Sequence, residues 1–137
     1  MKPVKNSHDN GAESPVAASE LPGTEGSYAT QVLGIILEEV EQECQRQVSI
    51  WGIQRLPDGT GGTAARQIAD QVRRRCQQAA AAGQVTWKHI LSEEIAEAYA
   101  EVDDERLREE LIQVAAVCAS WVRDLDLRAV DRACAGD

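Results

Sequence analysis

The sequence has no phenylalanine and few other aromatic residues, with three tryptophans and two tyrosines among 137 residues. It has no apolar run near the ~18 residues needed to span a bilayer, and no apolar N-terminal stretch typical of a secretion signal. The four cysteines form no C-x-x-C pair, so neither a zinc site nor a disulfide framework is indicated. We therefore expect a cytoplasmic protein without membrane contact, whose thiols are reduced and mostly buried. The cysteines are Cys44, Cys76, Cys118 and Cys134.

Positive charge is also scarce, since 14 Lys and Arg stand against 23 Asp and Glu, for a formal net charge of -9. Binding to the phosphate backbone of a nucleic acid needs a broad basic surface, so this composition argues against nucleic acid as a partner. A small nucleotide remains compatible, because a metal ion can bridge its phosphates to acidic side chains.

Ala, Val, Leu and Ile recur at helical spacing over most of the chain, which predicts an all-α fold. Residues 1–27 contain prolines, glycines and serines with few bulky apolar side chains, and are predicted to be a disordered tail. A single helical domain is expected over 28–127, followed by a frayed C-terminal segment, 128–137.

Four helices are predicted in this domain, over about 30–50, 63–82, 86–102 and 103–127. Thr30, Thr63 and Thr86 are the expected N-caps of the first three. The connection between the third and fourth helices is so short that they should form an antiparallel hairpin. We therefore expect the subunit to be an antiparallel four-helix bundle.

Acidic residues are placed on both halves of this hairpin. Glu94 and Glu97 share one face of the third helix, and Glu110 and Gln113 share one face of the fourth. Carboxylates crowded beside an apolar seam repel one another, and a divalent cation relieves that conflict. The pattern predicts a magnesium site, although acidic residues at this spacing also fit a solvated helix face.

The same residues carry a family resemblance. Glu93-Glu94-x-x-Glu97, a gap of twelve residues, and Glu110-x-x-Gln113 resemble the E-E-x-x-E…E-x-x-D signature of the MazG-like all-α nucleoside triphosphate pyrophosphohydrolases. Trp51-Gly-x-Gln54 and Trp87-x-x-Ile-Leu are similar to stretches of the phage and actinobacterial branch of that family. The resemblance covers most of the chain.

The resemblance implies that Glu94, Glu97, Glu110 and Gln113 ligate Mg²⁺, with Mn²⁺ as an alternative. The metal would hold the phosphates while water attacks, releasing pyrophosphate and a nucleoside monophosphate. Gln113 replaces the family Asp, and its neutral amide cannot act as a base. A glutamate must then activate the water, and Glu93 or Glu109 could compensate because each adjoins the motif.

Three further residues are candidates for nucleotide contact. Trp51 and Gln54 could bind a nucleobase, or they could close the core and cap a loop. Lys88 could reach a phosphate, or it could be a solvated lysine. Trp87 and Trp121 are predicted core residues, and the triplet Arg73-Arg74-Arg75 is expected on the outer side of the second helix, balancing neighbouring acidic faces.

The sequence thus predicts a Mg²⁺-dependent nucleoside triphosphate pyrophosphohydrolase. Its long apolar seams and the family resemblance also predict a homodimer or homotetramer. The alternatives are a catalytically inactive MazG-like protein that acts as a nucleotide sensor or through protein contacts, which Gln113 favours, and a helical assembly module without a ligand.

Overall fold

The computed structural model describes residues 24–136, which form four α-helices and no strand. The helices are α1 (Thr24–Trp51), α2 (Thr63–Ala81), α3 (Trp87–Ala100) and α4 (Asp104–Ala135). The predicted all-α class is therefore confirmed for this range. Most of the segment predicted as a disordered tail, 1–23 of 1–27, lies outside the described residues, and its last four residues form the start of α1.

Two predicted helix starts are confirmed in atomic detail. The hydroxyl of Thr86 accepts a hydrogen bond from the amide of His89, and Nδ1 of His89 accepts one from the amide of Thr86, which completes a capping box. At α4, Oδ1 of Asp103 accepts from the amide of Arg106 at 3.0 Å. These caps satisfy amides that have no partner within the helix.

Other predicted helix boundaries were wrong. Thr30 lies inside α1, where its hydroxyl donates to the carbonyl of Gly26, because no proline interrupts the helix between Thr24 and that point. The N-cap of α2 is Gly62, which makes no side-chain cap bond. α4 continues as one helix through 128–135, since this stretch is free of Gly and Pro until Gly136.

Helices α3 and α4 form the predicted antiparallel hairpin. Trp87 at the start of α3 stacks on Trp121 of α4, with ring centroids 6.4 Å apart and planes inclined by 12°. The indole Nε1 of Trp87 also donates to Oδ2 of Asp124 at 2.8 Å. The two tryptophans therefore fix the register of α3 and α4. They pack between the helices, as predicted, and are not candidates for ligand binding.

Helix α2 packs antiparallel on the other side of α3. Arg66 near its start lies beside Glu97 and Glu101 near the end of α3, and the α2–α3 core is built mainly from alanines. Small side chains let the two helix backbones approach closely. Ala69, Ala96 and Ala100 are buried there, with Ala65 and Val72 packed against them.

Helix α1 packs closely only against α4, so the described helices follow one another in space as α1, α4, α3 and α2. Ile36 is buried in this contact, but every residue of α1 from Leu37 to Trp51 is exposed. Val40, Cys44 and Val48, which follow Ile36 at helical spacing, are therefore uncovered in the single chain. Among the described helices, none is long and apolar enough to cross a membrane.

The prediction of mostly buried cysteines was wrong for the single chain. Cys76 is buried between α2 and α3, whereas Cys44, Cys118 and Cys134 are exposed and none of the four forms a disulfide within residues 24–136. The exposed thiols lie on helix faces that no other helix of the described range covers.

Candidate functional site

Four glutamates of the α3–α4 hairpin are buried. The exposed fraction is 6% for Glu93, 1% for Glu94, 3% for Glu97 and 6% for Glu110. Carboxylates are seldom buried to this degree unless they are paired or bind a cation. These four residues are therefore not a solvated helix face, which was the simplest alternative to a site.

The carboxylate of Glu97 is held by two arginines from α2. Nη1 of Arg66 donates to Oε2 of Glu97 at 3.1 Å, and Nη2 of Arg73 donates to Oε1. The Glu97 side chain is only 4% exposed, while those of Arg66 and Arg73 are 40% and 38% exposed. The hydrogen bond to Glu97 is the main cause that raises the pKa of Arg73.

Each arginine has a second acidic neighbour. Nη2 of Arg66 lies 3.7 Å from Oε1 of Glu101, and Nη1 of Arg73 donates to Oδ1 of Asp70 at 3.4 Å. The guanidinium groups thus bridge the buried Glu97 to acidic groups nearer the surface. Arg–carboxylate pairs of this kind are stronger than neutral hydrogen bonds.

Arg66 was not among the predicted site residues. Arg73 balances an acidic residue of the neighbouring helix, as predicted, but it lies in the α2–α3 groove rather than on the outer side of α2. A signal was present, since the two arginines are seven residues apart and therefore share a helix face. Ala69, which is fully buried, lies between them on that face. Arginines flanking a buried alanine could have been assigned to the α2–α3 groove.

Glu93 faces α2 one turn before Glu97. It lies close enough to the buried Cys76 to interact with the thiol, whose pKa is raised to about 11 by burial and, secondarily, by this carboxylate. The negative charge of Glu93 also contributes to the raised pKa of Arg73. Glu93 and Glu97 are therefore both directed at α2, at Cys76 and Arg73.

The other two predicted site residues of the hairpin, Gln113 and Glu109, differ in exposure. Gln113 is half-buried one turn after Glu110 on α4, and Glu109 is exposed. Within residues 24–136, no three Asp, Glu, His or Cys side chains are gathered in an arrangement that could hold a metal ion as they stand. The donor set consists of oxygen ligands, which is the type Mg²⁺ prefers, but a bound cation would require Glu97 to exchange its arginine partners.

The candidate nucleotide contacts lie in two cavities that none of the four buried glutamates lines. Trp51 and Gln54 both line a cavity of about 320 Å³ at the end of α1. Trp51 is exposed, so it does not close the core of this chain. Lys88 lines a second cavity, of about 400 Å³, between α2 and α3.

Comparisons of the chain with protein-family models, with curated proteins and with solved structures return no match. The likeness to the MazG-like family is therefore a resemblance of motifs and their spacing alone.

Proposed function

We propose that this chain is a Mg²⁺-dependent nucleoside triphosphate pyrophosphohydrolase of the MazG-like type. The observation that carries the proposal is the burial of Glu93, Glu94, Glu97 and Glu110 on a single helical hairpin. Burying a carboxylate costs several kcal/mol unless a counter-charge or hydrogen bonds offset the loss of hydration. Four buried carboxylates on one hairpin are unusual in a structural core, where Glu is rarely fully buried, and this favours a functional site.

Glu94, Glu97, Glu110 and Gln113 would hold the metal. Mg²⁺ bound there, or Mn²⁺ in its place, would supply positive charge to the phosphate oxygens and lower the pKa of a bound water. The reaction would release pyrophosphate and a nucleoside monophosphate.

The chain's own residues would orient the water and accept its proton. Gln113 cannot accept a proton, so this role falls to a glutamate. Glu93 is better placed than Glu109, because Glu93 is buried within the cluster whereas Glu109 is exposed. Glu93 is therefore our candidate general base.

A second copy of the chain would complete the bundle. In the single chain, α1 and α2 do not pack on each other, and the second half of α1 exposes apolar side chains such as Val40 and Val48. Covering this surface in a homodimer or homotetramer would offset its exposure to water. The cavity lined by Trp51 and Gln54 would then lie at a subunit boundary and take the nucleobase.

Pyrophosphate release from the four deoxynucleoside triphosphates, with Mg²⁺ or Mn²⁺, tests the proposal. Glu94→Gln and Glu110→Gln keep side-chain size but remove a proposed ligand charge, and each should lower kcat by at least about 100-fold. Glu109→Gln is the matched control, because the same change is made one residue away at an exposed position. Hydrolysis that is equal in all four proteins would refute the assignment of the site.

Gln113→Asp is a second test of the same site. Restoring a negative ligand should tighten Mg²⁺ binding, by about tenfold for one added charge at short range. Isothermal titration with MgCl₂ measures this directly. Unchanged affinity would mean that Gln113 does not contact the metal.

The second candidate function is a catalytically inactive nucleotide sensor or interaction module. It is favoured by Gln113 and by the arginine pairs that already hold Glu97. In that case the wild-type protein releases no pyrophosphate, yet nucleoside triphosphates raise its melting temperature.

A further inference from the structure

A cavity of about 400 Å³ lies in the groove between α2 and α3. Val72 and Arg75 line it from α2, and Lys88, His89 and Ser92 line it from α3. A small-molecule site commonly occupies ~300–1,000 Å³, so the cavity is large enough for more than a single phosphate group.

The lining is basic in a chain whose net charge is -9. Arg75 and Lys88 bring two positive charges, and neither forms an ion pair with another residue of the described range. Their neighbours Arg66 and Arg73 differ in this respect, since both pair with Glu97. The positive charges of Arg75 and Lys88 therefore remain available to a ligand.

The other polar lining groups can also donate. Nδ1 of His89 accepts a hydrogen bond from the amide of Thr86 at 3.1 Å, so the neutral ring carries its proton on Nε2. Ser92 adds a hydroxyl. Lys88 and His89 lie in the first turn of α3, which contains no acidic residue, and the helix dipole there favours an anion.

The cavity adjoins the buried glutamates. Ser92 precedes Glu93, Arg75 precedes Cys76, and the thiol of Cys76 interacts with the carboxylate of Glu93. The cavity therefore lies beside Glu93 in the same α2–α3 groove, although Glu93 does not line it.

We infer that the cavity lined by Arg75, Lys88, His89 and Ser92 binds the phosphate oxygens of a pyrophosphate or polyphosphate group. A linked phosphate chain matches both the donor-rich lining and the volume. The assignment of this group to a nucleotide rests on the proposed function, whereas binding of the anion does not.

Titration calorimetry of the full chain with inorganic pyrophosphate, in EDTA and without metal, tests the inference. Arg75→Gln and Lys88→Gln should each weaken binding by about tenfold, as expected for the loss of one charged hydrogen bond. Arg74→Gln is the matched control, because it removes the same charge from an exposed neighbour that does not line the cavity. Thermal melts verify that every variant folds.

Absence of pyrophosphate binding to the wild type, or equal binding by the wild type and the Arg75→Gln/Lys88→Gln double variant, would overturn the inference. Deoxynucleoside triphosphates and monophosphates, titrated in parallel, distinguish a nucleotide phosphate chain from free pyrophosphate.

The test of pyrophosphate binding can succeed or fail independently of the test of hydrolysis. Binding without hydrolysis would leave the cavity assignment intact and refute the enzyme. Hydrolysis by the wild type, with a KM that is unchanged in the Arg75→Gln/Lys88→Gln double variant, would support the enzyme and refute the cavity assignment.

Discussion

Both carboxylate oxygens of Glu97 are held by guanidinium groups from α2, so a metal ion at the proposed site would compete with two arginines for this carboxylate. The hydrogen bond to Glu97 is the main cause of the raised pKa of Arg73. Metal binding at Glu97 must therefore displace Arg73, at a cost in free energy that an arginine-free site would avoid.

Arg73→Gln should tighten Mg²⁺ binding about tenfold, since a competing charged hydrogen bond of ~1.5–3 kcal/mol is removed. Without metal, the variant should lose only ~1–2 kcal/mol of unfolding free energy, because Arg73 is partly exposed and Arg66 still pairs with Glu97. Calorimetry with MgCl₂ and urea unfolding measure the two effects. Arg74→Gln, an exposed neighbour, should change neither, and an unchanged Mg²⁺ affinity in Arg73→Gln would exclude the competition.

The thiol of Cys76 should be the slowest of the four to react with a disulfide reagent. Its pKa is raised from a usual 9.0 to about 11 by burial and by Glu93. At pH 8 the thiolate fraction is then about 100-fold lower than that of an unperturbed thiol, before access is considered. We expect a reactivity midpoint near pH 11 in a variant that retains only Cys76.

A variant that retains only Cys134, an exposed residue near the end of α4, is the control for this measurement. Because the folded-state pKa of Cys76 is raised, its contribution to stability is complete below pH 9 and is lost as the pH rises towards 11. Equal reaction rates for the two variants at pH 8 would contradict the burial of Cys76.

At the scale of elements, the junction before α2 depends on two adjacent glycines. They share a positive φ but differ in the space around them. Gly61 and Gly62 have φ of +92° and +97°, which disfavours any side chain at either position. Only at Gly61 would an added Cβ collide with Val102, and the amide of Gly61 donates to the carbonyl of Tyr99 at 2.8 Å. Gly61 therefore allows the loop to dock on the end of α3.

Gly61→Ala and Gly62→Ala separate the two effects. Both should lose ~1–2 kcal/mol of unfolding free energy from the unfavourable φ. Gly61→Ala should lose about a further 1 kcal/mol, because the exposed side chain of Val102 must leave its present conformation. Equal losses in urea unfolding would mean that the loop does not contact α3 as described.

Much of the helix arrangement was predictable because its signals are local. The Thr86 cap, the start of the fourth helix at Asp103–Asp104 and the shortness of the connection before it depend on residues a few positions apart, and each was predicted. The start of α1 and the end of α4 were predicted wrongly. A capping residue marks a helix boundary directly, whereas a helix that continues past the expected boundary has no such marker. The positions of Glu93, Glu94, Glu97 and Glu110 on the hairpin likewise followed from helical spacing.

For the whole molecule, the second half of α1 is the longest helical segment that no other described helix covers. Its residues from Leu37 to Trp51 are all exposed, although Val40, Cys44 and Val48 continue the stripe that buries Ile36 against α4. A continuous apolar stripe of this length normally packs against another helix. A second copy of the chain is the partner we propose.

Light scattering should therefore give the mass of a dimer or tetramer at micromolar concentration. Val48→Glu places a charge on the uncovered stripe and should shift the distribution towards the monomer. Gln45→Glu adds the same charge beside the stripe and should leave the mass unchanged. A wild-type monomer would contradict the assembly, and with it the expected subunit boundary beside Trp51.

The sequence by itself determined the all-α class, the α3–α4 hairpin and the acidic spacing, because helical periodicity and capping depend on residues three or four positions apart. Only the tertiary structure decided that four of those acidic residues are buried and that Arg66 and Arg73 bind Glu97 across 31 and 24 positions of sequence. Such pairs depend on the rotation and offset of one helix against another, which arise when the alanines of α2 and α3 pack together. The uncovered half of α1 was likewise decided at this level, because an apolar stripe predicts burial without specifying whether the covering helix belongs to the same chain.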